Sequence, residues 1–451
     1  MASAAPNILL VIADDFGAYQ LGCTSPGGAG FFRTPCLDRF AAEGVRFARA
    51  YATAPVCSPA RASLYTGLHP ARLHLTDFIP GSGVTNPALL TPPWQCGLPV
   101  AAVTLGDALK ALGYATAHFG KWHLAPDYHY TPGRPMDPES QGFDEVFVTR
   151  KPSADADPEG DPHHIDRLTD RTIEFCTRAR PTAQPFFCVL AHNAVHRPEL
   201  APAALAAKYA THPAADPEVN RPVFAAMVEL LDAAMGRLLD ALHRAGRDRD
   251  TLVVFTADHG AMGASERRKP LRGAKADLYE GGLRVPLLLR WPGRIAPGQV
   301  RDALVSGADL FPTLLTAAGA TPATALDGVN LWPVIGDVSA PAPHDALHWH
   351  YPHYHHLGVG PSGSIRVGEH KLIEWFGPTP RLELFDLGAD PGEARNLAAI
   401  EPGRRDALRR RLHAWQVEVG AQAMTPNPGY DSAAPTRLHP PAGDAIPGKD
   451  S

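Results

Sequence analysis

A lone cysteine sits among small and turn-forming residues in APVCSPARASLYTGLHP, residues 54 to 69. The spacing predicts a short helix with Ser58 as its cap, Pro59 at the first helical position and Gly67 closing its end. A helix N-terminus favours an anion, either the Cys57 thiolate or the oxygens of a bound tetrahedral group. Arg61 lies four residues on, on the same face, where it could hold a second oxygen bidentately. That geometry suits sulfate or phosphate. The structural alternative is an inert buried cysteine beside a surface arginine.

Two apolar runs end in acids. NILLVIA (7–13) runs into Asp14-Asp15, and TLVVFTA (251–257) into Asp258-His259-Gly260. Adjacent carboxylates repel unless a cation lies between them, so the pattern points to a hard divalent ion, Ca²⁺ or Mg²⁺. Taken singly, each pair also fits a turn or a helix cap. Asp15-Phe16-Gly17 spells a kinase triplet, but neither a VAIK strand nor an HRD loop accompanies it.

Cationic and imidazole groups follow in similar strand-to-loop contexts: Lys121 and His123 in GKWH, His192 and His196 in HNAVH, and Arg272 and Lys275 in RGAK. Each alone fits a solvated surface residue. Together they supply what cleavage of a dianionic ester needs, fixed positive charge for the non-bridging oxygens and a proton for the leaving oxygen.

Something must hold these groups together. The runs 7–13, 185–191, 251–257 and 284–291 are continuous and apolar, as strands buried on both faces are. Helical patterns at 103–113 and 223–246 separate them, which argues for a layered α/β fold with a large, mostly parallel sheet. In such sheets ligands collect beyond the carboxyl ends of the strands. The stretches 151–164 and 198–217 read as surface insertions, and 339–346 as a domain boundary. Short antiparallel strands and a closing helix are expected after it, giving a catalytic domain over 1–340, a smaller α+β domain over 341–425 and an extended tail over 426–451.

Bulk properties narrow the class. The chain has 451 residues and a formal charge of -5, which gives no reason to expect a nucleic-acid partner. No run reaches the roughly 18 apolar residues of a membrane span. The N-terminal apolar run lacks a basic leader and ends in two aspartates, so a strand and a cytoplasmic location are expected. Six cysteines without CxxC or zinc-finger spacing are expected as reduced thiols.

The ordered series of motifs resembles the type I sulfatases of the alkaline-phosphatase-like superfamily. CSPAR with ASLYTG matches the family signature, and NILLVIADDFG, GKWHL, HNAVHRP, TADHG, PLRGAKADLYEGGLRVP, DLFPTLLTAAG, RVGEHKLIE and LELFDLGADPGEARNL follow in family order. The resemblance implies that Cys57 is oxidised to Cα-formylglycine by a formylglycine-generating enzyme. It implies that Asp14, Asp15, Asp258 and His259 hold Ca²⁺, rather than Mg²⁺, together with residue 57. It further implies that Arg61, Lys121, His123, His196 and Lys275 surround the sulfate, with His196 and nearby Lys275 protonating the leaving oxygen. Two departures stand out: His259 replaces an asparagine found in many members, a poorer ligand for Ca²⁺, and Ala125 replaces the glycine that ends GKWHLG.

Substrate choice is sought in HWHYPHYHH (348–356), where His350, His353 and His355 could bind a sugar or aryl ring; packing between domains is the alternative role. With no membrane or secretion signal read in the sequence, a small, importable sulfated substrate is expected, an aryl sulfate or a sulfated mono- or disaccharide. A phosphonate monoester hydrolase or phosphodiesterase using the same modified residue is the rival enzyme, and an inactive sulfate- or glycan-binding protein is the reading if Cys57 stays a thiol. Oligomeric state is not legible.

Overall fold

The run Asn7–Ala13 is buried along its whole length, which places it inside a sheet covered on both faces. The structure, a computed structural model, describes residues 5–24, 30–180, 184–263 and 271–441. Residues 1–4 of the N-terminal run, Pro270 of the 270–286 motif and the tail beyond residue 441 lie outside them.

Eight strands form the main sheet: β1 (Asn7–Ala13), β2 (Val45–Tyr51), β3 (Ala115–Gly120), β4 (Glu145–Val148), β5 (Phe186–Ala191), β6 (Thr251–Ala257), β7 (Leu287–Arg290) and β8 (Gln299–Ser306). Their spatial order is β8-β2-β7-β6-β1-β5-β3-β4. Only β7 runs antiparallel to its neighbours, so β1, β2, β3, β5 and β6 all end at one edge. The long helix Pro222–Arg244 packs on one face with Ile165–Thr177 and Ala203–Ala210.

Gly120 closes β3 at φ +110°, where a Cβ would lie 1.8 Å from the Ala191 carbonyl oxygen of β5. Only glycine admits this approach. It lets the next residue, Lys121, donate its N–H to the same oxygen at 2.8 Å and turn into the sheet edge.

A second sheet contains β9 (Leu347–Tyr351), β10 (Ser362–Val367), β11 (His370–Trp375) and β12 (Arg381–Asp386), all antiparallel. Alternation sorts its faces. Ile365, Leu372 and Leu384 pack under Leu408 and Leu412 of the helix Pro402–Glu418. Trp349, Tyr351, Ile373 and Phe385 meet Tyr51, Val56, Phe78 and Leu283 of the main body. The first four residues of HWHYPHYHH therefore belong to strand β9 and its run on to Tyr351. Near the C-terminal end of the described residues, Thr425–Pro426 pairs with Leu89–Leu90, and Arg437–His439 with Gly83–Thr85. Among the described residues no helix is long and apolar enough to cross a membrane, and all six cysteines are free thiols.

Charges are buried at the seam between the sheets. Lys371 is fully buried, its Nζ 3.0 Å from Oε1 of both Glu280 and Glu393. Tyr51 donates its hydroxyl hydrogen to Glu280 Oε2 at 2.7 Å, and Glu393 Oε2 accepts from the Glu280 N–H at 2.7 Å. Removing one member of such a cluster strands the others in a dry interior. Lys371→Ala is expected to lower the unfolding free energy by about 3–5 kcal/mol, read from the urea midpoint; a loss within experimental error would show the cluster to be dispensable.

Candidate active site

The helix carrying Cys57 spans Cys57–Thr66, and every residue in it is buried. Its N-cap is Val56 in extended conformation, so Cys57 itself is the first helical residue. Ser58 does not cap. Its Oγ instead accepts the Ile79 N–H at 3.1 Å, because the entering chain places it one position inside the helix against the 77–80 loop. Gly67 closes the helix in the left-handed region at φ 69°, donating its N–H to Ser63 O at 2.9 Å, as the sequence predicts.

Most of the acids and bases follow strand ends, while Arg61 comes from the helix and Lys275 from a loop. Asp14 and Asp15 follow β1, Lys121 and His123 follow β3, His196 follows β5, and Asp258 and His259 follow β6. One ligand atom from each of Asp14, Asp15, Cys57 and His259 falls within a 4.8 Å group. Asp258 stands directly behind it: Oδ1 accepts the N–H groups of His259 at 2.9 Å and Asp15 at 3.2 Å, and Oδ2 accepts from Arg61 Nε at 3.0 Å.

Cations balance these carboxylates. Lys121 Nζ donates to both oxygens of Asp14, at 2.9 and 2.7 Å, and Lys275 Nζ donates to Asp15 Oδ1 at 2.9 Å. Burial pushes the Asp14 carboxyl up to about 6, against the pull of Lys121 and with a further push from Asp258. For Asp15 burial also opposes ionisation, but His196, Lys275 and His259 hold its carboxyl well below the usual range. Asp15 Oδ2 is buried and accepts no hydrogen bond among the described residues. An oxygen so placed beside three other donors fits a divalent cation.

His259 is oriented for the same task. Its Nδ1 lies 3.0 Å from Gly260 O, which as the acceptor fixes the hydrogen there and leaves the Nε2 lone pair facing Asp15 Oδ1 at 3.1 Å and Cys57 Sγ at 3.2 Å. Burial opposes a proton on this ring, yet Asp258, Cys57 and Asp15 raise its basicity well above normal. A metal would take that proton's place.

Cys57 Sγ has Lys275 Nζ at 3.4 Å and Asp14 Oδ1 at 3.7 Å. Burial alone would push the thiol up, but Lys121, Lys275 and His259 bring it well below the thiol range. Arg61 is fully buried and largely committed: Nε binds Asp258 and Nη1 donates to Lys121 O at 2.8 Å. Nη2 lacks a hydrogen-bond partner among the described residues and faces Asp14 Oδ1 at 3.6 Å, so part of the guanidinium's donor capacity remains for an anion.

His123 sits at φ 62° and donates Nε2–H to Ile79 O at 2.7 Å, which leaves Nδ1 as an acceptor. His196 donates Nδ1–H to Arg197 O at 2.7 Å, with Nε2 3.8 Å from Asp15 Oδ2. Burial lowers it to about 4, so it is neutral at pH 7 before substrate arrives. His192 is buried away from this set of contacts, and Arg272 serves the seam, donating to Glu393 O at 2.9 Å. Sequence reasoning missed the 77–80 loop: Ile79 anchors both Ser58 and His123 through its backbone, a role no side-chain pattern betrays.

The three candidate substrate histidines separate. His350 is spent on packing, with Nε2 donating to Gln422 O at 2.9 Å and Nδ1 accepting from Gln416 Nε2 at 3.2 Å. His353 Nε2 meets Thr76 Oγ1 at 2.7 Å, and Nδ1 lies 3.7 Å from Asp77. Neither ring is free for a ligand. His355, 1% exposed, stands against Phe78 with ring centroids 5.1 Å apart.

A buried carboxylate pair and a cysteine at the carboxyl edge of an α/β sheet, ringed by lysine, arginine and histidine, make a pocket suited to a tetrahedral anionic group. The chain belongs to the sulfatase family: residues 6–320 match the family model described as Sulfatase, and residues 274–418 match that of N-sulphoglucosamine sulphohydrolase, C-terminal. It is thereby a sulfuric ester hydrolase. It is 32% identical to human arylsulfatase A over 96% of this chain and 93% of that protein. The crystal structure of Ps i-CgsB in complex with k-i-k-neocarrahexaose superposes with a TM-score of 0.76 at 25% identity, covering 95% of this chain and 96% of that one. The phosphonate monoester hydrolase of Agrobacterium radiobacter shares the fold, with a TM-score of 0.71 at 21% identity over 92% and 96% of the two chains.

Beside the site, Asp77 accepts hydrogen bonds from Tyr351 Oη at 2.8 Å and its neighbour's N–H at 2.9 Å, yet burial pushes its carboxyl up to about 7. The folded state therefore holds this proton more tightly than the unfolded chain does, and stability from this group falls as pH rises from about 4 to 7. Asp77→Asn, which keeps one acceptor, is expected to gain stability relative to wild type by a few kcal/mol, about 3–4, between pH 4 and pH 8. Parallel urea curves at the two pH values would show the shift to be absent.

Proposed function

We propose that the chain hydrolyses sulfate monoesters of small alcohols, phenols or sugars through residue 57 after its oxidation to Cα-formylglycine, with Ca²⁺ bound by Asp14, Asp15, Asp258 and His259. The observation that carries this reading is the convergence of Asp14, Asp15, Cys57 and His259 donors within 4.8 Å at the start of a buried helix. The modified residue, once hydrated, supplies an oxygen nucleophile that a serine could replace only for the first half of the reaction. The cation would offset the mutual repulsion of the carboxylates and polarise the reacting oxygens.

The chain's own residues do the rest. Lys121, Lys275 and Arg61, whose Nη2 faces Asp14 Oδ1 at 3.6 Å, supply the positive charge that a sulfate group needs in a site without bulk water. Lys275, protonated because Asp15 and Cys57 outweigh its burial, is a standing proton donor 3.4 Å from the residue-57 side chain. His196 joins it when substrate charge raises the basicity of its ring. His123, with Nδ1 left as an acceptor by its bond to Ile79 O, can take a proton from the group at residue 57. Residues 341–425 act as a smaller domain that closes one wall of this pocket. Maturation requires a formylglycine-generating enzyme as partner. The human arylsulfatase A relation supports aryl sulfates as substrates, and the likeness to an oligosaccharide-bound protein supports sulfated sugars.

Peptide mass spectrometry of protein from a host with the maturing enzyme should find the thiol-to-aldehyde mass loss at residue 57. Cys57→Ala should keep its circular dichroism and melting temperature while kcat falls by more than about 10⁴-fold on nitrophenyl sulfate. Wild-type turnover by Cys57→Ala, or a higher kcat/KM on a phosphonate monoester than on the sulfate, would contradict the proposal.

A further inference from the structure

Among the described residues of the histidine-rich stretch, His355 alone has a buried side-chain polar atom without a hydrogen-bond partner. Its Nδ1 accepts the Leu357 N–H at 3.2 Å, so in the neutral ring the hydrogen resides on Nε2. Nε2 is buried and has no hydrogen-bond partner. A buried N–H left unpaired costs about 1–3 kcal/mol, so its retention in a rigid setting points to a ligand that completes it.

The setting is rigid. The His355 N–H donates to Val359 O at 2.8 Å, and the Gly358 N–H donates back to His355 O at 3.0 Å. The ring stacks on His356 at 4.4 Å and rests on Phe78. Phe78 precedes Ile79, whose backbone anchors Ser58 and His123. The ring also feels the charges of Lys275, Cys57 and His259, while burial, acting first, keeps it neutral. Through Phe78 it packs on the loop that anchors Ser58 and His123, a contact made by the C-terminal part of the chain.

We infer that His355 is a further substrate-binding residue, donating Nε2–H to a non-bridging oxygen of the sulfate group held at residue 57. This rests on the sulfatase reading and deepens it. A neutral donor adds directionality without adding to the repulsion among Lys121, Lys275 and Arg61. It also makes the pocket depend on the segment 351–359.

The test compares wild type with His355→Phe, which keeps a ring but removes the donor, and His355→Gln, which restores an N–H. Steady-state kinetics on nitrophenyl sulfate and inhibition by inorganic sulfate are measured alongside melting temperature. His355→Phe should lower kcat/KM by about 10- to 100-fold and weaken sulfate inhibition, with a melting temperature close to that of wild type, because removal of the unpaired Nε2–H offsets loss of the acceptor for the Leu357 N–H. His355→Gln should recover part of both losses. Wild-type kcat/KM and sulfate inhibition in His355→Phe would overturn the inference, as would equal losses in both variants accompanied by a fall in melting temperature. Failure of wild type itself to hydrolyse any sulfate ester would count against the sulfatase reading, and calorimetric sulfate binding by the same three proteins would still decide His355.

Discussion

Burying Asp14, Asp15 and Asp258 side by side is the constraint from which the rest of this structure follows. Three carboxylates in a dry interior are tolerable only if their charge is matched within a few ångströms. The chain supplies Arg61, Lys121, Lys275 and His259 for that purpose, each from a different segment. The same cations then face the space in front of Cys57. Folding energetics and chemistry thus use one set of groups: what neutralises the acids also prepares a site for a sulfate.

The parallel sheet is what brings these segments together. Because β1, β3, β5 and β6 end at one edge, residues more than 240 apart in sequence become neighbours, as in the hydrogen bond from the Asp15 N–H to Asp258. The antiparallel sheet is not a separable appendage in energetic terms. Its Trp349, Tyr351, Ile373 and Phe385 share a core with Tyr51 and Phe78 of the main body, and Lys371 is buried between Glu280 and Glu393. The 77–80 loop is clamped between the two and sets the position of His123.

Much of this was legible in the residues. The continuous apolar runs marked the central strands, and their acidic or basic successors marked the sheet edge where they meet. Gly67 was readable because a helix end needs φ > 0. Ser58 was misread because capping depends on the conformation of the entering residue, which Val56 takes here instead. The histidine-rich stretch could not be sorted from sequence at all. Whether His350, His353 or His355 is spent depends on Gln422, Thr76 and Leu357, partners fixed only by tertiary packing. Likewise the commitment of Arg61 Nε and Nη1 to Asp258 and to the Lys121 carbonyl depends on tertiary packing that its spacing from Cys57 does not reveal.

The proposed chemistry depends most directly on the capacity of the buried acids to bind a cation. Calorimetric titration of chelator-treated protein with Ca²⁺ tests it. One saturable equivalent, accompanied by a rise in melting temperature and abolished in Asp15→Asn, is the expected result. No saturable uptake, or uptake unchanged in Asp15→Asn, would contradict it.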